Sequence, residues 1–151
     1  MKTPKKIQRA VGKLELLVVV HPGSLCGSLW TSGLQGCQAI TDRLLAEVRD
    51  WKGPRVAVYG DLEDELDEYR EVGDVIYDIA DVIDGDPDEA GLAQATKDIL
   101  KLHPAKTLRR VLVTGAWADP KDGCVTEVAK ALRKLTPGLA VEISPLAPIY
   151  P

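Results

Sequence analysis

The chain contains no CxxC pair, no P-loop, no internal repeat and no apolar run long enough to span a membrane. The apolar stretch Leu14 to Val20 is interrupted by Glu15 and ends at Pro22-Gly23. Lys2, Lys5, Lys6, Arg9 and Lys13 precede it, but no signal-peptide cleavage pattern follows, so no membrane partner is expected. Cys26, Cys37 and Cys124 are odd in number and form no CxxC pair, so neither a disulfide framework nor a zinc site is indicated and the reducing cytoplasm is the default expectation. No aromatic residue is interleaved with the lysines of the N-terminal arm, and the other basic residues are dispersed, so nucleic acid is not an expected partner. No cofactor or metal is implied.

What is present is ordinary for a globular protein: 151 residues, 45% apolar and 28% charged. One domain over residues 1–151 is expected, with a basic arm at 1–13 and a tail at 145–151 that carries three prolines. The formal charge of -4 conceals an asymmetry. Asp61 to Glu89 holds 14 of the 23 acids and one base, leaving 9 acids and 18 bases elsewhere. A solvated acidic face is the plainer expectation; the alternative is a homo-oligomer joined through oppositely charged faces and the C-terminal tail. A metal-binding alternative rests on Asp78, Asp81, Asp84, Asp86 and Asp88, and it ranks third because their spacing does not match a calcium loop and Asp86 reads as a helix cap.

The chain alternates between strand-like and helix-like patterns. Leu14 to Val20 is a nearly continuous aliphatic run, as expected of a parallel strand buried on both faces, and is taken as β1. Cys37, Ile40, Leu44, Val48 and Trp51 recur at helical spacing behind a Ser32/Gln35 capping box, and Gly53-Pro54 stops the helix. Arg55 to Gly60 reads as β2, Asp61 to Val72 as a short acidic helix, and Val75 to Ile79 as β3. Asp86-Pro87-Asp88-Glu89 reads as a helix start with Asp86 as N-cap, and that helix ends before His103-Pro104. Arg110 to Gly115 is β4, Val125, Val128, Leu132 and Leu135 mark the next helix, and Leu139 to Ile143 is β5.

This order predicts a three-layer α/β/α sandwich around a five-stranded, mostly parallel sheet. Right-handed crossovers leave few arrangements, and 3-2-1-4-5 is preferred to the rival 2-1-3-4-5. In the preferred order β1 and β4 are adjacent, and the loops at their carboxyl ends form one ligand site. The first loop offers Ser24, Ser28, Thr31 and Ser32 with Gly23 and Gly27, a composition suited to an anion or to simple helix capping. Trp30 and Trp117 stand in the two loops, where they either stack on a planar ligand or cover the core. Thr114 and Asp119 complete the expected ligand-contacting set. Cys124, at a helix start, is either a nucleophile with a lowered pKa and His21 as its base, or a core cysteine continuing the apolar face of Val128 and Leu132.

Leu16-Leu-Val-Val-Val-His-Pro-Gly followed by Cys26, and Val113-Thr-Gly-Ala-Trp-Ala-Asp continuing to Gly123-Cys-Val-Thr-Glu-Val-Ala, resemble the first strand and the nucleophile-bearing segment of the isochorismatase-like cysteine hydrolases. The resemblance extends thinly from about Leu14 to Ile143. It implies an α/β/α fold and, in active members, an Asp, Lys and Cys triad that hydrolyses amides or related bonds of small molecules. Only the cysteine carries over, to Cys124. His21 stands where the family has Asp, and Asp78 and Asp81 follow the expected β3 without a Lys. Two functions are therefore expected as alternatives: a small-molecule hydrolase built on Cys124 and His21, and a non-catalytic α/β module for small-ligand binding or self-assembly.

Overall fold

The computed structural model describes residues 12–22, 37–59, 79–147 and 149, with side chains described from Asp42 onward in the first helix. The described elements are β1 (Leu14–Val20), α1 (Cys37–Asp50), β2 (Arg55–Val58), β3 (Asp81–Ile83), α2 (Glu89–Leu102), β4 (Leu108–Gly115), α3 (Cys124–Leu135) and β5 (Ala140–Ile143). A single 3-10 turn, Ala105–Thr107, leads into β4. The Ser32/Gln35 capping box and the acidic helix expected at 61–72 lie outside the described residues.

The five strands form one sheet in the order β3-β2-β1-β4-β5, and every described pairing is parallel. β1 is therefore central, flanked by β2 and β4, and Leu16 to Val20 are fully buried. Alternation divides these side chains between the faces. Leu16, Val18 and Val20 join Val56, Val58, Val111 and Val113 in a core closed by Ile99 of α2 and by Val125, Val128 and Leu132 of α3. Leu17 and Val19 join Ala57 and Leu112 beneath Leu44 and Val48 of α1. Helices thus cover both faces, and the molecule is the three-layer sandwich its alternating pattern implies.

Two local expectations are corrected. Of the expected third strand, Val75 to Asp78 lie outside the described residues and Ile79 is buried without belonging to a strand; the described β3 is Asp81–Ile83. At three residues, and paired among the described strands with β2, it is too short to show a period-2 pattern. The N-cap of α2 is Asp88, not Asp86: the Asp88 carboxylate accepts the Gly91 N–H at 2.7 Å. A Cβ at position 91 would lie 1.8 Å from the Asp86 carbonyl oxygen, so Gly91 allows the approaching chain to pass close beneath the first turn.

Candidate functional site

The strands β2, β1 and β4 end at one level, because Val20 pairs with both Val58 and Gly115. The next residue of each then makes a final backbone hydrogen bond. His21 N–H donates to Val58 O at 2.9 Å, Tyr59 N–H to Ile83 O at 2.9 Å and Ala116 N–H to Val20 O at 3.2 Å. The chain turns sharply there: His21 and Tyr59 adopt left-handed backbone angles, φ 51° and 60°, and Gly115 has φ 115°. A Cβ on Gly115 would lie 2.1 Å from the Val20 carbonyl oxygen, so only glycine fits. The His21 and Tyr59 rings lie 5.2 Å apart, tilted by 36°.

Beyond β4 the chain passes through a cis Ala116-Trp117 peptide and closes on itself. Trp117 O accepts the Val125 N–H at 3.0 Å, and Asp119 O accepts the Gly123 N–H at 3.2 Å. These bonds set Gly123 as the N-cap of α3 and Cys124 as its first residue. A cavity of about 270 Å³ opens between the N-terminal ends of α2 and α3. Tyr59 supplies one wall, and Pro87, Asp88, Glu89 and Leu92 come from the start of α2. Asp122, Cys124 and Glu127 complete the lining.

The lining carries four carboxyl groups, and electrostatics follows from that. Burial pushes the Cys124 thiol above its ordinary pKa, and the charges of Glu127 and Asp122 push it further. Of the two expectations for Cys124, this direction is that of the core cysteine and not that of the nucleophile with a lowered pKa. Partial charges at the helix end are opposed by desolvation and by two nearby carboxylates, all of which disfavour a thiolate. Burial likewise pushes the Tyr59 phenol up to about 12, with Cys124, Asp88 and Glu127 adding to the shift. Burial lowers the pKa of His21 and favours its neutral ring.

Cys124 is half-buried, packed against the core beneath α2 and α3 while also facing the cavity. His21 does not line this cavity; its ring rests on Tyr59, which does. Trp117 packs against the α1-side core, on the opposite face of the sheet from Cys124. Thr114 is completely buried. Asp119 is half-buried within the 116–123 loop and does not line the cavity. Ser24, Ser28, Trp30, Thr31 and Ser32 lie outside the described residues, as do Gly23 and Gly27. Among the described residues no group of three or more His, Cys, Asp and Glu side chains is arranged to hold a metal ion. No helix among them is long and apolar enough to cross a membrane.

Sequence reasoning misses Tyr59 and the carboxylates that surround Cys124. Asp122 and Glu127 are its neighbours along the chain, and their spacing about a helix start is a usable signal. Tyr59 and Asp88 have no such signal, because only the strand order brings the ends of β2 and α2 to α3. Comparison of the chain with protein families, curated proteins and solved structures found no match.

Proposed function

We propose that this protein is a small-ligand-binding α/β module with the frame of an isochorismatase-like cysteine hydrolase but without an activated nucleophile. The observation that carries the reading is the state of Cys124: a thiol at the head of α3, facing a cavity, whose pKa is raised by burial and by Glu127 and Asp122. A cysteine nucleophile needs an environment that stabilises the thiolate, and a general base within hydrogen-bond reach. Here His21 stacks on Tyr59 and does not line the cavity.

The same carboxylates select the ligand. Asp88, Glu89, Asp122 and Glu127 give the cavity a negative field, and Tyr59 adds an aromatic wall. A volume of about 270 Å³ suits a compact organic molecule, and this lining suits one bearing an ammonium or guanidinium group. A thermal-shift panel of small amines and guanidines against carboxylic acids of similar size tests this. Amines should raise the Tm of the native protein and should lose that effect in Glu127→Gln and Asp122→Asn. Stabilisation by acids alone would overturn it.

The hydrolase reading is favoured by one specific observation, the position of Cys124 as the first residue of α3 at the cavity wall. It requires turnover of a small amide that disappears in Cys124→Ser. Self-association through the charged faces and the tail is a separate proposal supported by the charge asymmetry. The odd number of cysteines without a CxxC pair supports residence in the cytoplasm.

A further inference from the structure

Thr114 belongs to a polar cluster on the other face of the sheet, away from the Cys124 cavity. In β4 the side chain of Leu112 faces α1, so Thr114, two residues on, faces α1 as well. Ile143 pairs with Val113, and Ser144 N–H donates to Val113 O at 2.8 Å, which sets Ser144 beside Thr114 on the neighbouring chain segment. Adjacent strands lie roughly 4.8 Å apart, so these two side chains are neighbours. Glu47 reaches down from α1 to the same place, where its Oε2 accepts a hydrogen bond from Ser144 Oγ at 2.7 Å. Ser144 Oγ in turn accepts the Leu146 N–H at 3.1 Å and is thereby fixed.

Two atoms of this cluster are buried without a hydrogen-bond partner: Glu47 Oε1 and Thr114 Oγ1. Thr114 is 0% exposed and Ser144 2%. Among the described residues, Glu47 forms no ion pair. A buried carboxylate oxygen and a buried hydroxyl left unpaired are each costly, and linked through Ser144 on one face of the sheet they describe the lining of a site for something that brings positive charge. One carboxylate supplies one negative charge, which matches a monovalent ion and falls short of the several carboxylates a divalent ion recruits.

We propose that Glu47 Oε1, its carboxylate held in place by Ser144, and Thr114 Oγ1 bind a compact monovalent cation, an alkali ion or ammonium, between α1 and the carboxyl ends of β4 and β5. The site is independent of the acidic cavity. It ties α1 to the last two strands, so occupancy reads out as stability. The test measures the Tm of the full chain in KCl, NaCl, NH4Cl and N-methylglucamine chloride at one ionic strength of about 0.15 M, which equalises screening. At least one compact cation should raise Tm by about 3 °C over N-methylglucamine, as expected for a site filled well above its Kd in a domain of this size. NH4Cl against KCl and NaCl separates ammonium from alkali ions. Thr114→Val keeps the side-chain shape and should abolish the rise, as should Glu47→Gln, while Asp122→Asn in the cavity should leave it intact. Equal Tm values in all four salts would overturn the proposal, as would a rise that survives in Thr114→Val.

Discussion

His21 and Tyr59 end adjacent strands in the same left-handed backbone conformation and stack their rings 5.2 Å apart over the sheet. That backbone is strained for both residues, and ring contact compensates in part. His21→Asn, which accepts a positive φ, should lose about 1 kcal/mol, the worth of the ring pair. His21→Val should lose about 2 kcal/mol or more, because a β-branched residue resists that φ. Urea denaturation at neutral pH distinguishes them, and equal losses would show that the backbone angle carries no strain.

The same pair makes stability depend on pH. Burial lowers the folded-state pKa of His21 below the unfolded 6.5, so the unfolded chain binds more protons in the interval beneath it. This contribution is complete above 6.5 and is lost as pH falls through the folded-state value. Stability should therefore decline on acidification from 6.5, and His21→Asn should flatten that slope; an unchanged slope would assign the acid sensitivity to other groups.

Gly115 and Gly138 both have positive φ, 115° and 87°, but only Gly115 is crowded, since a Cβ there would stand 2.1 Å from Val20 O. Gly138→Ala should cost about 1 kcal/mol, while Gly115→Ala should cost about 3 kcal/mol or more by forcing β1 and β4 apart. Denaturant midpoints of the two variants check the contrast.

Asp88 caps α2 and Asp86 does not, so Asp88→Ala should lose about 1 kcal/mol. Asp86→Ala, at an exposed position, should fall within about 0.5 kcal/mol of the parent. The reverse ranking would restore Asp86 as the cap.

These two aspartates show where sequence reading succeeds and where it stops. A helix start is evident in Asp86-Pro87-Asp88-Glu89, but either aspartate satisfies the local pattern, and the close passage of Asp86 O beneath Gly91 decides between them. β1 is legible because five consecutive residues, Leu16 to Val20, are buried on both faces. The described β3, Asp81–Ile83, is not legible in the same way, since a three-residue strand leaves little pattern to read. At the site, Cys124 stands out as a candidate from its position at a helix start. Its chemical state is not legible, because burial and the cavity walls set it, and Tyr59 and Asp88 reach it only through the strand order.

Self-association is tested by light scattering across a salt series. If the 14 acids between Asp61 and Glu89 meet basic faces of a second copy, the assembly should dissociate as salt shortens the Debye length from about 10 Å at 0.1 M to about 3 Å at 1 M. A mass that stays monomeric at low salt would leave the acidic stretch as a solvated face.

The rate at which iodoacetamide alkylates Cys124 at neutral pH, followed by peptide mass spectrometry, reads the state of the thiol itself. The reference is a synthetic peptide of residues 120–128, whose thiol has neither burial nor fixed neighbours. A thiol raised by burial, Glu127 and Asp122 should react several-fold more slowly in the native protein than in the peptide. The Asp122→Asn, Glu127→Gln double variant should recover about twofold of that rate. Native Cys124 reacting faster than the peptide would reveal an activated thiolate, contradict the ligand-binding account and restore the cysteine hydrolase.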